Sequence, residues 1–182
     1  MDRNDNELVE RWLRGDATGF EALVRRWQQP VARTLNRLVA RPDIVPDLCQ
    51  DVFLKVFRAR STYRENGAFA SWLYRVTINV ARDALRRLPA HPTYATNPDE
   101  QPGAELPPEA RCAEQETRQM VELALSELPP ALREVLVLRY YEGLPFEEIA
   151  RLTGVPASTL KSRFTNALMR LKKRLEQIGN FP

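Results

Sequence analysis

Apolar residues recur along this chain at helical spacing. Phe20, Leu23, Val24 and Trp27 fall at i, i+3, i+4 and i+7, and Leu48, Val52 and Val56 at i, i+4 and i+8. Phe69, Leu73, Val76 and Val80 form a third set on one face. Each set predicts an amphipathic helix. No regular strand alternation recurs, so the expected fold class is all-α. In the first half the stripes and their breakers predict four helices. The first opens at Asn6–Arg14. The second carries the Phe20–Trp27 stripe past a bend at Pro30 towards Val39. The third follows a turn at Arg41-Pro42 and carries Leu48 to Val56, with Phe53 and Phe57 beside its stripe. The fourth runs from Phe69 to Arg87 after a Gly67-containing loop at Tyr63–Ala68.

The second half reads as helices too: Ala110–Leu128; a helix opened by Pro129-Pro130 that runs to Tyr141 and stops at Gly143; a short one over Phe146–Leu152; and, after Gly154-Val155-Pro156, a long one from Ala157 to about Ile178. Between the halves, residues 89–108 hold six of the fourteen prolines and no helical periodicity, which predicts a flexible, partly extended linker. The expected organisation is two helical domains, 1–88 and 109–182, joined by this Pro-rich linker at 89–108.

Charge sharpens the picture. The net charge is +3, but from Lys161 to Leu175 there are six basic residues and no acid. A one-sided basic helix suits a phosphate backbone, and it equally describes a solvated face. With one histidine and two cysteines far apart, Cys49 and Cys112, there is no zinc spacing, no disulfide framework and little for His-based acid–base chemistry. No metal or cofactor is expected, and no enzymatic activity. Met1 to Arg11 is polar and no 18-residue apolar run exists, so the expectation is a cytoplasmic chain with no membrane span.

Three constellations carry candidate function. The short helix, the Gly154 turn and the long helix make a helix-turn-helix. Ala150 suits a close crossing, and Ile149, Val155, Leu160 and Phe164 form the expected shared core. The second helix then exposes Ser158, Thr159, Lys161, Ser162, Arg163 and Asn166, groups that read base edges and phosphates in a major groove. On the Phe69–Arg87 helix, Trp72, Arg75, Asn79, Arg82 and Arg86 lie opposite the apolar stripe, and Tyr63, Arg64 and Asn66 precede it. Aromatics interleaved with Arg and Asn suit unpaired bases, although a tryptophan such as Trp72 is more often a core residue than a base platform. The third constellation is Asp47, Gln50, Asp51 and Leu54, a polar strip with one exposed leucine that serves as a docking face or a plain solvated surface.

Asp47-Leu-Cys-Gln-Asp-Val-Phe-Leu-Lys-Val-Phe57, Phe69-Ala-Ser-Trp-Leu-Tyr-Arg-Val-Thr-Ile-Asn79 and Asp83-Ala-Leu-Arg-Arg87 resemble region two of the extracytoplasmic-function (ECF) sigma factors. The run from Leu128 to Ala150, with Gly154-Val-Pro156 and Thr159-Leu-Lys-Ser-Arg163, resembles their region four. The resemblance implies a sigma factor that binds RNA polymerase core enzyme and promoter DNA and is held by an anti-sigma partner. It implies that Asp47, Gln50, Asp51 and Leu54 dock on the clamp coiled coil of the polymerase largest subunit. Tyr63, Arg64, Asn66, Trp72, Arg75, Asn79 and Arg82 would then act on the −10 element, where an extruded base is captured. Arg139, Ser158, Thr159, Lys161, Ser162, Arg163 and Asn166 would contact the −35 duplex. A twenty-residue linker spans roughly 65–70 Å extended, close to the roughly 70 Å of two duplex turns. Where the family commonly has Arg, this chain has Asn166, which pairs best with adenine. Phe164 is bulkier than the usual aliphatic residue.

Two other readings differ in their needs. A helix-turn-helix regulator acting without polymerase needs an upstream receiver or ligand domain, which residues 1–88 do not supply. A metal-dependent nucleic-acid enzyme needs clustered carboxylates. Asp47 and Asp51 share a helix face without a partner cluster.

Overall fold

The computed structural model describes residues 3–61, 63, 69–88, 117 and 119–178. The expected linker, the start of the helix at Ala110, and Arg64 and Asn66 lie outside the described residues. Those described are mostly helical, with no strand among them. The chain forms two compact units, one built on Met1–Asn36 with Ile44–Pro89, the other on Arg37–Asp43 with Ala90–Pro182.

The first unit contains α1 (Arg3–Leu13), α2 (Ala17–Val39) as far as Asn36, α3 (Val45–Arg58) and α4 (Phe69–Arg87). Pro30 lies inside α2, and the helix runs on past it. The Thr34 hydroxyl donates to the Pro30 carbonyl at 2.9 Å, one turn on. Asp16 starts α2: its carboxylate accepts the Thr18 backbone N–H at 2.9 Å, as an N-cap should. The α1–α2 corner is tight. A Cβ on Gly19 would lie 2.9 Å from the Trp12 backbone nitrogen and 3.0 Å from the Leu8 carbonyl. Glycine there lets the two helices approach.

The core of this unit takes one face from each helix. Val9, Trp12, Leu23, Val31, Leu35, Val52, Val56, Leu73 and Ile78 are essentially inaccessible. Around Trp12 the rings of Phe20, Tyr63 and Trp72 lie with centroids 5.7, 6.0 and 6.4 Å away. Polar ties help to close the surface. Lys55 pairs with Asp83 at 3.5 Å, joining α3 to α4. Arg60 donates to the Leu13 carbonyl at the end of α1 at 3.3 Å.

In the second unit, residues 119–126 form α5. Then come α6 (Pro130–Leu136), a π-helical turn at Val137–Tyr141, α7 (Phe146–Thr153) and α8 (Ala157–Ile178). The expected single helix to Tyr141 thus widens in its last five residues, where Glu142 N–H reaches the Val137 carbonyl at 3.2 Å. This i→i+5 pattern keeps Val137 and Leu138 fully buried while Arg139 and Tyr140 face out. Both α6 and α7 pack on α8 through Leu132, Val135, Ile149, Leu152, Leu160 and Ala167. Gly154 ends α7 in the left-handed region, φ 73°, and its N–H bonds the Ala150 carbonyl at 2.9 Å.

Candidate nucleic-acid interface

Three exposed surfaces carry the candidate residues. The first lies on α3. Val45, Val52 and Val56 point inward, so Asp47, Gln50, Asp51 and Leu54, at i, i+3, i+4 and i+7, share the opposite exposed face. Leu54 is 45% exposed. Phe57, expected beside the apolar stripe, is instead 53% exposed and extends this face one turn beyond Leu54. One side of its ring meets Phe20, centroids 5.3 Å apart, and the other side is open. Its spacing of three from Leu54 was the available signal for this position. Cys49 sits behind the strip: its Sγ lies 3.6 Å from the Gln28 carbonyl, and burial pushes the thiol pKa up.

The second surface is the outer side of α4. Leu73, Thr77, Val80, Ala81 and Ala84 are buried, which turns Arg75 and Asn79 to solvent and leaves Arg82 half-exposed. Trp72 is half-buried, with its ring edge on Tyr63, 4.8 Å between centroids and 72° between planes. Tyr63 itself departs from expectation. It is only 7% exposed, enclosed by Trp12, Phe69 and Trp72. A ring of that area gains more from joining an aromatic core than from standing in water. Tyr63 is therefore a core residue, not a surface platform.

The third surface is the helix-turn-helix. Pro156 accepts from the Leu160 N–H at 3.0 Å as α8 begins, and Leu160 anchors the helix with 1% exposure. Ser158, Thr159, Lys161 and Ser162 are exposed, while Arg163 and Asn166 are half-exposed. Phe164 meets Phe146 edge-on at 5.6 Å, so the larger side chain is accommodated by an aromatic partner on α7. The Lys161 ammonium lies 3.9 Å from the Glu147 carboxylate and 5.9 Å from the Phe146 ring. Arg139, from the π turn, donates to the Leu144 carbonyl at 3.2 Å, with its guanidinium 5.3 Å from the same Phe146 ring. The turn thus brings Arg139 to the side of α7 where Lys161 also sits. Asn166 accepts a hydrogen bond from Arg170 one turn further along α8, at 3.2 Å.

Comparison with known proteins bears on these three surfaces together. The Sigma-70 region 2 family matches residues 23–89, and the Sigma-70, region 4 family matches residues 118–171. The ECF RNA polymerase sigma-E factor of Escherichia coli (strain K12) is 35% identical over 183 residues, covering 96% of this chain and 95% of that one. The chain belongs to the ECF RNA polymerase sigma factors. The sigma-E factor of Haemophilus influenzae is 34% identical, with 96% of both chains covered. Among solved structures, CnrH in complex with the cytosolic domain of CnrY has a TM-score of 0.71 at 23% identity, covering 97% of this chain and 99% of that one. The sigma factor RpoE of Bartonella quintana, in complex with the anti-sigma factor NepR, has a TM-score of 0.70 at 20% identity, covering 86% and 96%. These two support the all-helical fold. This sigma factor has RNA polymerase core enzyme and promoter DNA as its partners, and its family consists of transcription factors rather than enzymes. Among the described residues, no helix is long and apolar enough to cross a membrane.

Sequence reasoning also passed over Arg133. It is 6% exposed and donates to the carbonyls of Ser126 and Leu128 at 2.7 and 3.0 Å. The signal was an Arg four residues after the Pro129 that interrupts two helices.

Proposed function

We propose that residues 1–88 dock on core polymerase and open the −10 element, that residues 109–182 read the −35 element as duplex, and that 89–108 tethers them. The observation that carries this reading is the α3 strip. Asp47, Gln50, Asp51 and Leu54 face solvent on a helix whose other side is fully packed, in the segment that matches Sigma-70 region 2. A polar strip with an exposed leucine, lengthened by Phe57, has the mixed character of a docking interface.

On α4, Arg75 and Arg82 neutralise the single strand, Asn79 bonds an extruded base, and Trp72 offers the exposed part of its ring for stacking. Arg64 and Asn66, which precede α4 in sequence, join them, and Tyr63 supports Trp72 from within the core. On α8, Ser158, Thr159, Ser162 and Asn166 address base edges, while Lys161, Arg163 and Arg139 hold phosphates. The Lys161–Glu147 pair is surface-exposed on both sides. It is weak enough to be exchanged for a phosphate contact.

The protein acts without catalysing a reaction, in the cytoplasm. It is held inactive by an anti-sigma protein that covers the docking surfaces. The anti-sigma complexes of two proteins of the same fold support that last assignment. The test is transcription with purified core enzyme. Addition of this chain alone should yield initiation at discrete promoters from a random promoter library. A duplex-binding regulator gives no initiation under those conditions, and that result would overturn the assignment of roles.

A further inference from the structure

Arg139 comes from the π turn and Lys161 from α8, and both are exposed. They lie over one and the same ring. The Arg139 guanidinium carbon is 5.3 Å and the Lys161 ammonium 5.9 Å from the centroid of Phe146, the first residue of α7. Both distances fall within the roughly 6 Å over which the negative face of an aromatic ring attracts a cation. The Phe146 ring is half-buried and is fixed in turn by Phe164, which meets it edge-on at 5.6 Å. Each cation also has a second partner. Arg139 donates to the Leu144 carbonyl at 3.2 Å, and Lys161 faces the Glu147 carboxylate at 3.9 Å. The ring differs from these partners in taking up no N–H donor. The remaining donors of the guanidinium and those of the ammonium stay available to an anion.

We propose that Phe146 is a positioning residue that holds Arg139 and Lys161 together as one phosphate clamp for the −35 duplex. This rests on the assignment of Arg139 and α8 to that duplex. Two long cationic side chains placed side by side repel each other, and each has many rotamers to lose on binding. The face of the ring attracts both, offsets part of their repulsion and confines them before DNA arrives. Glu147 cannot fill this role in the complex. Its pair with Lys161 is exposed on both sides and therefore weak, and an arriving phosphate sets a like charge against the carboxylate. The ring carries no net charge, so it keeps its hold on Lys161 while the phosphate takes the place of Glu147. Phe146 then contributes affinity through the two cations and not through a base. Its contribution is the same for every −35 sequence, because phosphate contacts carry no sequence information.

The experiment uses holoenzyme assembled from core polymerase and the full chain, with affinity for promoter duplex measured across a range of salt. Phe146 is replaced in turn by monofluoro-, difluoro- and trifluorophenylalanine. These keep an apolar ring against Phe164 and weaken its negative face step by step, and melting curves confirm that each protein is folded. Affinity should fall with each fluorine, by about three- to tenfold for the trifluoro ring. The order of preference among −35 sequences should not change. The double variant Arg139→Gln, Lys161→Gln should bind all sequences more weakly, with a salt slope lower by about two. In that background the fluorine series should be flat. Equal affinity along the series in the otherwise wild-type chain overturns the proposal, and if the double variant is still weakened, the phosphate assignment stands without it. The same decline in both backgrounds also overturns it, because the ring would then act through packing alone. If the double variant binds as tightly as wild type and with the same salt slope, the phosphate assignment of Arg139 and Lys161 fails first and the proposal with it.

Discussion

Arg133 donates to the carbonyl of Ser126 at 2.7 Å, from a position 6% exposed. Ser126 is the last helical residue of α5, and the same guanidinium reaches the Leu128 carbonyl at 3.0 Å. The end of a helix leaves carbonyls without intrahelical partners, and burial forbids water from satisfying them. A planar, always-charged fork with several donors answers that need from one side chain. Arg133→Met keeps the bulk and removes every donor. It should lower stability by about 2–3 kcal/mol, the cost of losing charged hydrogen bonds to buried acceptors. Urea unfolding of the full chain followed by circular dichroism measures it; an unchanged midpoint would mean that the carbonyls find other donors.

Gly19 should resist even alanine. Replacing glycine inside a helix by alanine ordinarily stabilises by about 1 kcal/mol. Here the new Cβ would meet backbone atoms of α1, Trp12 N at 2.9 Å and Leu8 O at 3.0 Å, which cannot swing aside as a side-chain end would. Overpacking of this type costs about 1–3 kcal/mol. Gly19→Ala should therefore melt below wild type in a thermal scan, and a rise in melting temperature would show that the corner has slack.

Asp16 gives the acid limb of stability a specific component. Its hydrogen bonds from Thr18 and then from Arg11 lower its pKa from 3.8 to about 2. A carboxylate with a folded pKa below its unfolded value favours the folded state when ionised. That contribution is complete above the unfolded value and disappears as pH falls through about 2. Asp43, lowered by its hydrogen bonds from Arg41, acts in the same sense. Asp16→Asn retains a capping oxygen but cannot titrate, so the melting temperature of the variant should fall less steeply between about pH 4 and about pH 2. Parallel curves for the two proteins would remove Asp16 from the account.

The periodic parts of this fold were legible before the structure. The bounds of α4 and the start of α8 agree with the apolar stripes and with the Gly154-Val155-Pro156 turn, because both depend on local spacing. The passage of α2 through Pro30 was legible from apolar positions on either side of it. What escaped depends on contacts distant in sequence. Tyr63 is sequestered by Trp12, 51 positions earlier, and no local pattern reveals that partner. The π turn at Val137–Tyr141 follows the same apolar spacing as an α-helix, yet it decides that Arg139 and Tyr140 face outward. The exposed strip on α3 was legible, and its extension by Phe57 was not, because a large aromatic next to a buried valine reads as core.

The α3 strip separates docking from folding. Gln50 and Asp51 are exposed, and Val52, next along the helix, is fully buried. Replacing both Gln50 and Asp51 with alanine should leave helicity and melting temperature nearly unchanged, since exposed helix positions shift stability by no more than about 0.5 kcal/mol. Co-purification with core enzyme should be lost. A double variant that retains normal affinity for core would place docking elsewhere on the unit.

Asn79 offers the most direct access to strand opening. It is exposed on α4, one turn beyond the exposed Arg75, while Ile78 and Val80 on either side are buried. Its amide can bond the edge of one extruded base, and that bond offsets part of the unstacking cost of a few kcal/mol. Asn79→Ala removes the bond without disturbing the packed face. The variant holoenzyme should open duplex promoters more slowly, as followed by permanganate reactivity of unpaired thymines. On a template whose −10 element is already unpaired, the cost has been met beforehand, and the variant should recover part of its activity relative to wild type. A loss of equal size on both templates would assign Asn79 to backbone or protein contacts, and normal opening of duplex promoters would make it a plain surface residue.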